Sequence, residues 1–228
     1  RQTGSSWRSQ LRRDRRMRPS ALSLLGIDAL AAAHEDKPVD ELALVRNRHA
    51  WNEAIAAGVR SVPDVILGRA AEIIRGAAIV LTAGNGGSSA LASHAAQAIA
   101  KPSYKAGGGR PAICLTDNIP TLTAHANDSS WANALVEAAR PFLDAHEPKA
   151  VLLAISSSGK SENIVRLARL AREVNCPIIG FTGFGGEPLR SISTVSIHVN
   201  SSDYEIVEPV HDALIHRIQF LLRLPRGA

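Results

Sequence analysis

The chain is poor in several things at once, and each shortage excludes something. Only 4% of its 228 residues are aromatic and only two are cysteines. Cys114 and Cys176 lie in or beside apolar stretches, far from other metal-type side chains in sequence. A disulfide-stapled secreted scaffold is therefore excluded, and buried free thiols in a reducing cytosol are expected. Long apolar runs are missing too. None reaches the roughly 20 residues that cross a bilayer, and the polar start does not read as a secretory signal. A cytoplasmic protein is the expectation. Acid is scarce at the start: residues 1–20 hold seven arginines against Asp14 alone, which gives +6. The chain total is +5, so the remainder carries −1, and the basic balance belongs to the tail. That tail lacks the aromatic interleaving of a single-strand binder, with Trp7 standing alone. A disordered leader is favoured over a nucleic-acid or membrane arm.

The familiar nucleotide loops are absent as well. In Gly84-Asn85-Gly86-Gly87-Ser88 the third glycine of a dinucleotide fingerprint would fall at Ser89. Gly159-Lys160-Ser161 lacks the upstream glycine of a Walker loop, since position 154 is alanine. No nucleotide cofactor is expected.

What is present is a change of rhythm near Gly76. Before it, apolar residues recur at helical spacing (Leu42, Val45, Ala54, Ile55, Val59, Ile66, Ala70, Ile73), read as two or three helices broken near Pro63. Pro63 suits a first-turn position. A mildly apolar segment, Ala21 to Ala33, precedes them. After Gly76, continuous apolar strands at 78–82, 111–116, 150–155, 177–181 and 194–199 alternate with helices near 88–101, 129–146, 161–174 and 204–224. A short turn falls near 187–191. Such alternation predicts an α/β fold, a three-layer αβα sandwich around a five-stranded parallel sheet, with N-terminal helices. The expected division is a tail over 1–20, a helical segment over 21–76 and the α/β domain over 77–225.

Ligands bind such sheets at the carboxyl ends of the strands. There the chain places Gly84–Ser88 and, seventy residues on, Ser156-Ser157-Ser158-Gly159-Lys160-Ser161. Glycines let backbone N–H groups approach an anion, helix starts add partial positive charge, and hydroxyls add neutral donors. A phosphomonoester held without a metal is the reading; plain strand-to-helix turns are the alternative. Lys160 could add charge or simply be solvated.

These residues resemble the sugar isomerase (SIS) domain, most nearly the sedoheptulose 7-phosphate isomerase (phosphoheptose isomerase) group and its non-catalytic relatives. The resemblance runs from about residue 50 to 224. It rests on the two loops, Thr116-Asp117, Ala126-Asn127-Asp128, Thr182-Gly183 with Gly185-Gly186, and a last helix bearing Glu208, His211 and His216. It implies an aldose–ketose isomerase for a phosphorylated sugar, usually a homotetramer with sites shared between subunits. Ser88, Ser156, Ser157, Ser158 and Ser161 would hold the phosphate, with Asn85, Gly86, Asp117, Gln97 and His211 as substrate contacts. The family's zinc site pairs a histidine and a catalytic glutamate four residues apart with a glutamine and histidine on the last helix. Here His94 and His216 match the histidines, but the glutamate position is Ala98 and the glutamine position is Glu208. The implied metal set is His94, Glu208 and His216, with Glu208 as base and His216 as acid. The alternative, suggested by Ala98, is a non-catalytic phosphosugar-binding protein acting through a partner.

The remaining polar residues have plainer readings. His94 alone could be a core histidine, and His211 a packing histidine. Asn127-Asp128 is expected to cap the helix from Ser129, near His125. Trp131 reads as a packing or interface anchor.

Overall fold

The computed structural model describes residues 41–101, 109–143 and 149–224. The arginine-rich segment 1–20, the apolar segment 21–33 and the Gly107-Gly108 pair lie outside the described residues. The chain divides after Asn47 into two units, and the sheet with its covering helices belongs to the unit from Arg48 onward.

Among the described residues two helices come first, α1 (Glu41–Ser61) and α2 (Asp64–Gly76). They break where the sequence indicates. Pro63 has no N–H to continue a helical ladder, and it sits in extended conformation at the cap of α2, one residue ahead of the first-turn position. The Ser61 hydroxyl closes α1 by donating to the Gly58 carbonyl at 2.7 Å.

The sheet consists of β1 (Ile79–Ala83), β2 (Ala112–Cys114), β3 (Ala150–Ile155), β4 (Ile178–Thr182) and β5 (Val195–His198). All pairs are parallel, in the order β2-β1-β3-β4-β5. Every residue of β3 and β4 is buried, which is why both read as unbroken apolar runs. One face is covered by α2, α3 (Gly87–Ala100) and α8 (Tyr204–Arg223), through Leu67, Ile74, Ala92, Ala95, Val210 and Leu214. The other is covered by α4 (Ile119–Asp128), α5 (Trp131–Leu143), α6 (Glu162–Glu173) and the short α7 (Leu189–Ile192). Helices on both faces make the three-layer sandwich that the alternation predicts. Burying each of the large aliphatic side chains contributes about 2 kcal/mol.

Helix α4 is a departure. Asn118 caps it by accepting from the Thr121 N–H at 3.1 Å, and Pro120 occupies its first turn. Asn127 and Asp128 therefore end this helix instead of capping the next. That role falls to Ser130, whose hydroxyl accepts from the Asn133 N–H at 3.2 Å. Both cysteines are buried and free, and burial pushes the Cys176 thiol up to about 11, so it stays protonated. Among the described residues no helix is long and apolar enough to cross a membrane.

The strand order fixes where a ligand can sit. From β1 the chain crosses to β2 on one side, then returns to β1's other side as β3. The connections part between β1 and β3, which opens a crevice at their carboxyl ends. The two glycine/serine loops come directly after those two strands.

Candidate active site

A hollow of about 250 Å³ opens in that crevice, lined by residues of both loops. Asn85, Gly86 and Ser88 come from the β1–α3 side. Ser156, Ser157, Ser158 and Ser161 come from the β3–α6 side, and Tyr204 and Glu208 of α8 close it. All five serines expected at a phosphate thus meet in one hollow. The N-termini of α3 and α6 converge there, with Gly86 and Ser161 as their caps. Unpaired N–H groups at both helix starts suit an anion.

Local chemistry holds the loops in shape. Gly84 has no alternative: a Cβ there would overlap the Ser88 carbonyl. Asn85 and Asn163 exchange amide hydrogen bonds at 2.8 and 2.9 Å, which ties the loops together. Asn163 also accepts from the Ile164 N–H, fixing its own helix start. The Ser156 hydroxyl donates to Ser161 Oγ at 3.2 Å, and the Lys160 N–H donates to Ser158 Oγ. Ser157 is different. Its Oγ is buried and has no partner, although buried polar atoms are nearly always paired. A hydroxyl without a partner in an anion-shaped hollow is a donor held ready.

Glu208 joins this hollow to a larger groove of about 780 Å³, lined by Trp51, Leu91, His94, Tyr204, Pro209 and Asp212 among others. The carboxylate lies over Gly87, with no room there for a Cβ. Trp51 is fixed by donating its indole N–H to the Glu205 carbonyl at 3.1 Å.

One turn beyond Glu208 on α8, Asp212 Oδ1 meets His94 Nδ1 at 3.0 Å. His216 stands edge-on to His94, with ring centroids 4.8 Å apart. Ligand atoms of His94, Asp212 and His216 all lie within 4.8 Å of one another. Glu208, expected as the third ligand, is not in this group; Asp212 supplies its carboxylate, and Glu208 faces the serines. Ala98 is buried in the apolar layer beneath, its carbonyl accepting from Gln219.

Other expected contacts lie apart. Asp117 is exposed and accepts from the Ser93 hydroxyl at 2.8 Å. Gln97 is exposed on α3, outside the histidine group. Lys160 and Trp131 are exposed. His211 is fully buried, its Nε2–H donating to the Thr182 carbonyl at 3.2 Å and its ring edge-on to Phe181. Burial pushes it down to about 4, with the Thr182 bond opposing, so it is neutral at physiological pH. Trp51, Asn163 and Tyr204 were not marked out by the sequence. Only Asn163 left a signal, an amide at the start of a helix that succeeds a serine loop.

A family model described as SIS domain matches residues 63–183. A phosphoheptose isomerase of a Bradyrhizobium strain is 33% identical over 171 residues, 75% of this chain and 83% of that protein. A lincomycin biosynthesis protein of Streptomyces lincolnensis is 31% identical over 192 residues, 79% of this chain and 66% of that protein. Among solved structures, the phosphoheptose isomerase of Neisseria gonorrhoeae superposes with a TM-score of 0.68 at 24% identity, covering 79% of this chain and 98% of that one. The enzyme from Francisella tularensis gives 0.69 at 21%, covering 79% and 96%. These two likenesses are of fold.

Proposed function

The chain belongs to the SIS domain family, and from that premise we propose that it is a phosphosugar aldose–ketose isomerase of the sedoheptulose 7-phosphate type. One observation carries the reading. The unpartnered Ser157 hydroxyl sits in a serine hollow that shares Glu208 with the groove of His94 and Asp212. A phosphate in the hollow gains Ser157 as a donor and fixes the sugar chain so that it extends past Glu208. Binding at this non-reacting end supplies orientation to the reacting end.

Glu208 is the base. For a ketose, its carboxylate takes a proton from C1 while the C2 carbonyl oxygen gains one from His216, giving the enediol. His216, now unprotonated, takes the O1 proton, C1 becomes the carbonyl, and Glu208 returns its proton to C2. General acid–base catalysis of this kind contributes about 10²–10⁴-fold. Asn85 and Gly86 border the phosphate hollow and contact the chain; Asp117, Gln97 and His211 line neither the hollow nor the groove.

Zinc is the metal that the resemblance implies, and the donor set suits it: two imidazoles and one carboxylate, with His94 and Asp212 also lining the groove. His94, Asp212 and His216 would hold it, with His216 then serving as ligand in place of acid. Bound there, zinc would supply Lewis acidity toward the sugar oxygens.

The test is an NMR-monitored incubation with sedoheptulose 7-phosphate, with added zinc and with chelator. New aldoheptose phosphate signals support the isomerase. Broadening of the sugar phosphate signals without conversion supports the second reading, a phosphosugar-binding protein, which the buried alanine at position 98 favours.

A further inference from the structure

The sheet's β5 edge carries a second polar cleft, of about 600 Å³, on residues that the serine hollow does not use. Ser196, His198 and Asn200 alternate along β5 and its extension, so all three present to one side. Arg190 of α7 and Ser61, at the end of α1, add further polar groups, and Val62, Pro63 and Ile66 form the apolar remainder of the lining.

Three features point to a ligand. Arg190 is exposed and forms no ion pair among the described residues, although Glu187 lies close enough to influence it. Glu187 itself is tied back by accepting from the Ser191 N–H at 3.2 Å and does not line the cleft. The Ser196 Oγ is buried with no partner, like Ser157 in the first hollow. His198 Nδ1 is engaged with the Thr182 hydroxyl at 3.0 Å, which leaves Nε2 for the cleft. Desolvation first, then the Arg190 charge, lowers the His198 pKa, so a neutral imidazole stands beside a guanidinium.

We propose that this cleft is a second anion site, which takes a small phosphate ester on Arg190, His198 and Ser196. A planar fork, an imidazole N–H and a hydroxyl are the donors such an oxyanion uses. The volume exceeds that of the ion alone and admits the small molecule carrying it. The site is independent of the isomerase reading, since no lining residue is shared.

It is nonetheless joined to the serine loops. Thr182 contacts His198, and the next N–H, that of Gly183, donates to the Ser157 carbonyl at 2.7 Å. A response at His198 could therefore originate in either place, and the experiment must separate them. The full chain is titrated with inorganic phosphate while the His198 imidazole and Arg190 side-chain NMR signals are monitored. A saturable shift is expected at both, retained in the Ser156→Ala/Ser161→Ala variant; in Arg190→Gln the shift that remains to be read, at His198, should need at least about 10-fold more phosphate. Acetate at equal ionic strength should leave both signals in place.

Two results overturn the proposal. One is silence at His198 while the Ser157 amide shifts, which would leave the serine hollow as the sole phosphate site. The other is a His198 shift lost in the serine variant but kept in Arg190→Gln, which would make it an echo of the first site. Neither bears on whether sugar phosphate is isomerised, so the two readings fail separately.

Discussion

Replacing Gly87 with alanine tests the role of Glu208 without touching it. Gly87 opens α3 and its backbone is not in the left-handed region, so alanine fits the chain there. The added Cβ would lie 2.5 Å from Glu208 Oε2, 2.8 Å from Oε1 and 2.9 Å from Cδ. Ordinary contact begins at 3.4 Å, so Oε2 must retreat by about 0.9 Å. It is the end of a flexible side chain, so the carboxylate moves and the helix does not. Alanine for glycine in a helix stabilises by about 0.5–1 kcal/mol, which leaves the melting temperature unchanged or raised. Misplacing a reacting group by about 1 Å costs on the order of 10²-fold in rate. The serines are untouched, so KM for the sugar phosphate should stay within about threefold while kcat falls about 100-fold. The assay is conversion of sedoheptulose 7-phosphate, with a thermal melt on the same preparation. Wild-type kcat in a folded Gly87→Ala variant would refute the assignment of Glu208 as base.

The same geometry sets three further outcomes. Ser157→Ala removes an unpartnered buried hydroxyl, so stability should hold or rise by up to about 1 kcal/mol, while KM rises about 10-fold from a lost hydrogen bond to a charged phosphate; an unchanged KM would place the phosphate elsewhere. Asp212→Asn should lower zinc bound per chain in equilibrium dialysis by at least about 10-fold with the fold intact, and full zinc retention would exclude it as a ligand. His211 has a folded value of about 4 against an ordinary 6.5, so the unfolded chain takes the proton first. Its stabilisation is complete above about pH 6.5 and falls by about 3 kcal/mol as the pH drops to about 4. Urea midpoints across that range should decline less steeply in His211→Gln, and identical slopes would show that another group dominates.

Much of this was legible because the signals were local. Unbroken apolar runs gave the strands to within two residues at most ends, and the serine loops identified themselves by their place after strands. Helix α4 escaped although its cap, Asn118, and its first-turn proline were both present. Asn127-Asp128 also reads as a helix start, and a single chain offers no rule for choosing between a beginning and an end. The histidine group was only half legible. His94 and His216 stood out, but Asp212 reads as one more polar residue on α8 until α3 packs beside it. Trp51 and Tyr204 are unreadable for the same reason: they meet only because α1 lies against the start of α8, 154 residues from Trp51 to its acceptor Glu205. Long-range pairing of side chains leaves no trace in spacing.

Among the described residues, no cation lines the serine hollow. Its grip comes from hydroxyls, amide N–H groups and helix ends, whose influence fades within a turn. Dissolved salt, which screens charges over about 10 Å, has no charged donor there to weaken; the charge it does screen is that of Glu208, which repels a phosphate. Newcomers are not drawn in from a distance; they are recognised on contact, by whether a tetrahedral head matches donors already aimed. Such a site does not lose its grip in salty surroundings.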